Sequence, residues 1–327
     1  MSVPLLQVND LKKHFPVHAG LFGRTTERVY AVDGVSFEIE RGETLSLVGE
    51  SGCGKSTVGR AILRLFEITA GQVVLDGQRI DDLSPARLRK LRRRVQVVFQ
   101  DPFSSLNPRM RVRDILAEPI RNFSLAKSSA ELDARLAALM DTVRLPREAL
   151  DRRPHEFSGG QRQRIGIARA LAAEPELIVC DEAVSALDVS VKAQIVNLLQ
   201  DLQREFGLAL LFISHDLAIV EHITHRVAVM YLGKIVELAP KRQIFAAPRH
   251  PYTKALLSAV PVPEPGAARN PMILKGDVPS PINPPRGCRF HTRCPFAFDR
   301  CRTDEPELRS TESGQWVACH LETLPQG

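Results

Sequence analysis

Glu43-Thr44-Leu45-Ser46-Leu47-Val48-Gly49-Glu50-Ser51-Gly52-Cys53-Gly54-Lys55-Ser56-Thr57 is the stretch that decides the fold. Its first six residues read as a short buried strand, and Ser56 to Phe66 as the opening of a helix. Between them, Gly49 to Thr57 fits G-x-x-x-x-G-K-[ST]: glycines let backbone N–H groups wrap phosphates, the lysine reaches the β- and γ-phosphates, and the hydroxyl ligates Mg²⁺. On average residue usage the pattern arises by chance in roughly one chain of this length in a hundred. Strand, loop and helix is also the setting the chemistry needs, because a helix N-terminus offers N–H groups and a positive dipole end to an anion. The stretch therefore predicts a nucleoside-triphosphate site, lined by Gly49, Glu50, Ser51, Gly52, Cys53, Gly54, Lys55, Ser56 and Thr57.

Further along, short apolar strands end in polar groups. Val95 to Phe99 ends in Gln100, Glu176 to Cys180 in Asp181-Glu182, and Leu208 to Ile213 in Ser214-His215. Strands that alternate with helices imply a mostly parallel sheet covered on both faces, and such a sheet presents ligands to the carboxyl ends of its strands. Asp181 suits water-mediated support of Mg²⁺, Glu182 suits polarisation of an attacking water, His215 a γ-phosphate contact, and Gln100 direct ligation of Mg²⁺. Without the phosphate loop each would read as an ordinary strand terminus. Phe157-Ser158-Gly159-Gly160-Gln161 is a second phosphate-handling motif: a hydroxyl, two glycines permitting close approach, and a helix beginning near Gln161.

The rest of the pattern supplies strands over the first ninety or so residues, with hairpins turning at Asp76-Gly77 and Leu232-Gly233, and a helical insert from Asp114 to Leu145. His18 to Thr26 reads as an exposed loop. Beyond about Ala247 the chain becomes Pro-rich and carries Cys288, Cys294, Cys301 and Cys319, a separate tail with little regular structure. At 327 residues and 44% hydrophobic composition the chain can build a sizeable core, and no run approaches the length of a membrane span. The net charge of +6 admits anionic partners. The basic run Arg87 to Arg94 reads as a solvated helix face, and one Trp with three Tyr leaves little for base stacking, so no nucleic acid is expected.

Taken in order and spacing, the phosphate loop, Gln100, Phe157 to Gln161, Leu177 to Glu182, Ser185-Ala186-Leu187-Asp188 and His215 resemble the ATP-binding subunits of ABC transporters over residues 1 to about 250. Two positions depart from the family pattern: Phe157 where Leu is commoner, and Ala183 where Pro is commoner. The resemblance implies an α/β, P-loop NTPase (RecA-like) core with an antiparallel β subdomain and an α-helical subdomain at about 101–165, plus a small Cys-containing C-terminal extension. Domains would span 1–247 and 248–327. It implies a Walker A motif at Gly49 to Thr57, a Q-loop at Gln100, a Walker B motif at Leu177 to Asp181, a catalytic base at Glu182, a D-loop ending in Asp188, and a switch histidine at His215. Phe15 best matches the aromatic residue that stacks on adenine, with Tyr30 the alternative and a core role open for both.

The same resemblance implies ATP with Mg²⁺, and a head-to-tail dimer with a second cassette, so that Ser158, Gly159, Gly160 and Gln161 serve the partner's nucleotide. It also implies two transmembrane permease subunits, an extracytoplasmic solute-binding protein, and a peripheral place on the cytoplasmic face of the membrane. Phe103, Leu106 and Met110 are expected to offer apolar contacts to a membrane subunit. Pro248-Arg249-His250-Pro251-Tyr252-Thr253-Lys254-Ala255-Leu256-Leu257 and Gly276-Asp277-Val278-Pro279-Ser280-Pro281 are similar to the extension of oligopeptide and dipeptide permease ATPases, shared by related nickel importers. That makes di- or oligopeptides the leading cargo. Members of the subfamily imply a [4Fe-4S] cluster on the four tail cysteines, whose spacing lacks the C-x2-C knuckles of zinc ribbons; zinc or free thiols are the other readings. Cys53 and Cys180 lie outside that set.

Overall fold

The computed structural model describes residues 3–18, 25–260 and 272–324. Most of the loop expected over His18 to Thr26 lies outside them, as do Pro261, Pro263 and Pro265. The chain divides into two compact units, one of residues 1–38, 45–81 and 214–327, the other of residues 39–44 and 82–213.

In the first unit, elements being numbered along the whole chain, strands β1 (Leu6–His18), β2 (Thr25–Ile39), β4 (Ala70–Leu75) and β5 (Gln78–Arg79) form a sheet in the order β2-β1-β4-β5. The β4–β5 turn is made by Asp76 and Gly77 with φ of 51° and 75°, the doubly left-handed backbone that Asp-Gly supplies to a tight hairpin. Strand β3 (Thr44–Val48), every residue of which is buried, runs parallel to β9 (Arg226–Tyr231). Antiparallel neighbours continue outward through β10 (Lys234–Pro240), β12 (Trp316–Val317) and β11 (Arg309–Ser310). Helices α1 (Lys55–Ile62), α7 (Leu217–Ile223), α8 (Lys241–Ala246), α9 (Pro251–Ser258) and α10 (Asp299–Thr303) complete it. The cysteine-bearing tail thus adds strands to the same unit that carries the phosphate loop.

The second unit has a parallel three-stranded arrangement of β6 (Val95–Val98), β7 (Leu177–Asp181) and β8 (Ala209–Ile213), with Cys180 paired to both Val98 and Phe212. All residues of β7 and β8 are buried; since successive side chains point to opposite faces, both faces are covered, as continuous apolar runs predict. The unit's helices are α2 (Pro85–Leu91), α3 (Val112–Asn122), α4 (Ser129–Thr142), α5 (Gly159–Leu171) and α6 (Val189–Phe206), of which α5 packs against β6 and α6 against α5. The helical insert is therefore two helices, α3 and α4, packed on α5. Within the basic run, Arg93 pairs with Glu174 at the surface and half-buried Arg94 pairs with Glu176, while Arg87, Arg89, Lys90 and Arg92 stay solvated.

Candidate functional site

The first unit builds a phosphate cradle at the end of β3. Gly49 leaves the strand with φ of 149°, and a Cβ there would lie 2.2 Å from the Met230 carbonyl oxygen of β9. Gly54 caps α1 with φ of 106°, and a Cβ would meet the Ala31 carbonyl oxygen at 2.1 Å. Both obstacles are backbone, so only glycine passes. As its N-cap is a glycine, α1 has no side-chain cap from that position. Lys55 is buried, and its Nζ donates to the carbonyls of Gly49 at 2.8 Å and Glu50 at 2.9 Å, which folds the ammonium over the loop where phosphate oxygens would replace the carbonyls. Ser56 and Thr57 stand half-buried in the first turn, and Cys53 is buried, its thiol pushed up by burial, as suits a small apolar filler.

His215 belongs to the same unit. The Ser214 amide donates to the Leu47 carbonyl at 3.2 Å, which ties the residue before the histidine to β3 two residues ahead of Gly49, and His215 itself is exposed. Asp216 caps α7 from the other side through the Ile219 amide at 3.4 Å. Phe15 is 36% exposed and edge-on to Phe66 at 5.6 Å, with the Lys13 ammonium 4.8 Å from its ring centre. Tyr30 instead packs against His14 at 4.5 Å, in a group where His14 binds Asp33. The exposed ring is Phe15, and the Tyr30 ring is engaged. A cavity of about 500 Å³ opens elsewhere in this unit, lined by Phe37, Lys234, Leu308 and Trp316, and contains no phosphate-loop residue.

In the second unit the parallel register brings Gln100, Asp181 and Glu182 to one edge. Gln100 lies two residues beyond Val98, which pairs with Cys180; Asp181 pairs with Ile213. Gln100 is exposed, Asp181 is buried, and Glu182 is half-buried. Glu182 has φ of 51°, a left-handed backbone unusual for a residue with a side chain and characteristic of functional positions. It is held there by its amide donating to the Ile213 carbonyl and by its carbonyl accepting from the Ser185 amide and hydroxyl. Cys180 is wholly buried, its thiol pushed up to about 12 by burial.

The Ser158 to Gln161 motif forms the N-terminus of α5. Ser158 Oγ accepts from the Gln161 amide at 3.3 Å, while Gln161 Oε1 accepts from the Ser158 amide at 3.0 Å, a reciprocal capping box. A Cβ on Gly160 would meet Val191 Cγ1 of α6 at 2.5 Å, and one on Gly159 would touch Leu187 at 3.6 Å, so the glycines let α5 approach the segment that ends in exposed Asp188. Phe157 and Ala183 are buried, which is why apolar exchange at both positions leaves the polar groups in place. Of the three residues expected to contact a membrane subunit, Phe103 is 60% exposed but covered on one face by the Arg162 guanidinium, 4.0 Å from its ring centre. Leu106 is a correction: it is buried, packed inward as the apolar residue of an otherwise polar turn, and offers no surface.

The four tail cysteines are free of disulfides. Burial pushes Cys288 up to about 12 and Cys294 up to about 11, and the other thiols add to the rise; Cys319 is raised in the same way. Cys288 thus feels the other three thiols, Cys294 feels Cys319 and Cys301, and Cys319 feels Cys301. The Cys288 amide donates to the Cys301 carbonyl at 2.9 Å. Among the described residues no three His, Cys, Asp or Glu are gathered closely enough to hold a single metal ion. Two residues that sequence reading missed touch the phosphate loop: Tyr252, whose hydroxyl accepts from the Glu50 amide at 2.8 Å, and Arg293, which grips the Glu50 carboxylate with two nitrogens at 2.7 and 3.1 Å.

A lysine-bearing phosphate loop after a buried strand in one unit, and a parallel sheet whose strands end in an Asp-Glu pair in the other, are the parts of a nucleotide-hydrolysing fold of the phosphate-loop class. Residues 32–185 match the ABC transporter family, and residues 236–301 match the family described as oligopeptide/dipeptide transporter, C-terminal region. The chain is 56% identical to a probable peptide ABC transporter ATP-binding protein of Sinorhizobium fredii, over 98% of this chain and 91% of that one. It is 53% identical to the oligopeptide transport ATP-binding protein AppF of Bacillus subtilis, over 97% of each. Among solved structures it is similar to cbiO1 from Clostridium perfringens, described as part of an ABC transporter complex, with a TM-score of 0.64 and 26% identity over 75% of this chain and 91% of that one. A second is the dimeric cassette MJ0796 in a post-hydrolysis state bound to ADP and Pi, with a TM-score of 0.64 and 29% identity over 72% of this chain and 99% of that one. This chain belongs to the family of ABC transporter ATP-binding proteins. It binds and hydrolyses ATP, with Mg²⁺ as the nucleotide's cation, and among its described residues no helix is long and apolar enough to cross a membrane.

Proposed function

We propose that the chain is the ATP-hydrolysing subunit of an ABC importer of di- or oligopeptides. The observation that carries the cargo is the match of residues 236–301 to the oligopeptide/dipeptide transporter C-terminal region, in line with relatives named for peptide and oligopeptide transport. Gly49 to Thr57 take the triphosphate, Lys55 and His215 neutralise its γ-phosphate, and Phe15 stacks on adenine. Ser56, Gln100 and Asp181 offer the hard oxygen donors that Mg²⁺ selects, and the ion would offset phosphate charge. Glu182 orients and deprotonates the attacking water; transfer to water of a phosphoryl group is driven by positioning and charge stabilisation. Because one phosphate loop and one Ser-Gly-Gly-Gln motif occur per chain, each ATP is completed by Ser158, Gly159, Gly160 and Gln161 of a second cassette, whose Asp188 segment lies beside them. Two permease subunits and a solute-binding protein complete the importer, and the chain sits peripherally on the cytoplasmic face of the membrane.

A [4Fe-4S] cluster on Cys288, Cys294, Cys301 and Cys319 is the finer part of the proposal. It is supported by four thiols of one segment that no disulfide consumes, Cys288 being raised by the other three. A four-iron cluster also holds its thiolates further apart than one zinc ion with bonds of about 2.3 Å does. Broad visible absorbance after anaerobic purification supports it, and stoichiometric zinc without iron overturns it.

The decisive experiment is purification of the chain from its native membrane with whatever subunits accompany it. Recovery with two multi-span subunits and a solute-binding protein that binds peptides is the expected result. A binding protein that prefers Ni²⁺ shifts the cargo, and a chain recovered free of membrane subunits overturns the importer. Within that assembly Glu182→Gln retains ATP binding and loses turnover by a factor on the order of 10² or more; unchanged steady-state hydrolysis removes Glu182 from its role.

A further inference from the structure

The phosphate loop is gripped from outside by the C-terminal extension. The His250-Pro251-Tyr252-Thr253 run opens α9. Buried His250 accepts the Tyr252 amide on Nδ1 at 3.1 Å, and its own amide donates to the buried Glu237 carboxylate at 2.9 Å. That fixes Tyr252, which is wholly buried in an aromatic group with Tyr231 at 4.8 Å and Phe290 at 5.3 Å, so that its hydroxyl meets the Glu50 amide. Arg293 takes the Glu50 carboxylate where Tyr252 takes the amide. It is only 8% exposed, and it lies between Cys288 and Cys294, directly before the latter. Its two-pronged pairing with the Glu50 carboxylate is the planar fork-to-fork geometry of the strongest ion pairs.

A second chain of contacts runs parallel to the first. Arg289, next to Cys288, is 8% exposed and donates to the Leu232 carbonyl in the β9–β10 turn; the adjacent Gly233 amide donates to the Cys53 carbonyl of the phosphate loop at 2.9 Å. Residues of the cysteine module therefore hold the loop at both Glu50 and Cys53. None of these groups can reach a reacting phosphorus atom through the loop they support, so their effect passes through backbone position. A loop that binds by its amides is sensitive to such support, because misplacement of a few tenths of an ångström weakens every amide contact at once.

We infer that Tyr252 and Arg293 are positioning residues that hold the phosphate loop in its ATP-binding shape, and that through Arg293 the integrity of the four-cysteine module sets ATP affinity. This rests on the reading of Gly49 to Thr57 as the triphosphate site. ATP binding thereby reports whether the extension is correctly assembled, giving the cysteine module a route to the engine that needs no contact with nucleotide.

The test uses the full-length chain titrated with a fluorescent ATP analogue in Mg²⁺, and the assembled transporter for steady-state kinetics. Tyr252→Phe removes one hydroxyl and leaves the ring packing; it raises the dissociation constant and the KM for ATP about three- to tenfold with kcat unchanged. Arg293→Ala raises them further, and Arg293→Lys restores part of the affinity. A merely structural role would instead lower the active fraction and the melting temperature while the folded molecules kept their affinity. Cys294→Ser weakens binding in the wild-type background and adds nothing to Arg293→Ala, since both break one path. Unchanged affinity in Tyr252→Phe and Arg293→Ala overturns the positioning role. Fully additive effects of Cys294→Ser and Arg293→Ala overturn the link to the cysteines. Lys55→Ala separates the levels: if it abolishes binding while the two support variants bind normally, this inference alone fails, whereas normal binding by Lys55→Ala removes the triphosphate site beneath it.

Discussion

The two glycine-bearing helix starts, at Gly54 and at Ser158, are built on opposite plans. Helix α1 begins on a glycine with φ of 106°, has no side-chain cap from that position, and depends on supports supplied from elsewhere in its unit. Helix α5 begins on a serine with φ of −64° and closes its own capping box through Gln161. An uncapped start in a left-handed turn suits a ligand that supplies the missing acceptors, as phosphate does. A self-capped start is complete without ligand, and offers the Ser158 hydroxyl and the helix dipole to an anion brought by another molecule. The loop is thus a site waiting to be filled, and the signature is a finished surface waiting to be met.

The largest effect expected from this difference is at Gly54. In Gly54→Ala the new Cβ would sit 2.1 Å from a main-chain oxygen in a backbone that alanine disfavours, and neither can rotate away. Loss of about 3 kcal/mol or more in urea unfolding, with ATP binding abolished, is the expected outcome. Gly160→Ala meets the Val191 side chain at 2.5 Å, and Gly160 is not among the residues with positive φ. Rotation of the valine relieves much of the clash. About 1–2 kcal/mol of stability is lost, ATP binding by the separate chain persists, and hydrolysis by the assembled dimer falls. Equal losses at the two glycines would erase the distinction between a backbone-locked loop and a side-chain-packed signature.

Ser158→Ala is gentler still. It deletes the acceptor for the Gln161 amide, an N-cap worth about 1 kcal/mol. Chemical unfolding should register that loss while nucleotide titration of the separate chain shows no change. A weakened affinity there would mean that α5 supports its own chain's nucleotide, contrary to its assignment to the partner's.

The loop and the strand-end carboxylates were legible because their chemistry is local. A glycine spacing, a buried strand and a terminal Asp-Glu are read from neighbours in sequence, and the parallel register of β6, β7 and β8 follows from apolar runs such as Leu177 to Cys180. The left-handed backbone of Glu182 was not legible, since nothing in Asp181-Glu182-Ala183 announces it and it is imposed by Ile213 and Ser185. Leu106 escaped for a related reason: an apolar residue in a polar turn points inward or outward according to packing that its neighbours do not encode. Most remote of all was Arg293, paired with Glu50 across 243 positions; only its place between two cysteines marked it. The tail read as separate on composition, yet its strand β12 pairs Trp316 and Val317 with Leu238 and Glu237 of β10.

The smallest predicted effect is set by pH and separates a loop that is braced from a signature that braces itself. His250 must be neutral to accept the Tyr252 amide, and burial lowers its pKa to about 3. Unfolded, it titrates near 6.5. Between those values the unfolded chain carries the extra proton, so this contribution to stability is present above about pH 6.5 and declines as the pH falls toward 3. Its size at pH 6 follows from the unfolded value alone, about 0.8 kcal/mol relative to pH 7.5. Glu237, against the His250 amide and beside Arg249, has a pKa raised by burial and so acts with opposite sign, favouring the folded state as acid is added. The comparison that isolates the histidine is therefore with His250→Asn, which keeps a capping acceptor and leaves Glu237 in place. Melting temperature and ATP affinity should fall between pH 7.5 and 6 more steeply in the wild type than in His250→Asn. Because the capping box of α5 contains no group that titrates in that range, Ser158→Ala should lower the melting temperature at every pH without changing its slope, and leave the ATP affinity curve where it was. Identical slopes for wild type and His250→Asn would show that the brace on the phosphate loop does not depend on the charge state of its buried histidine.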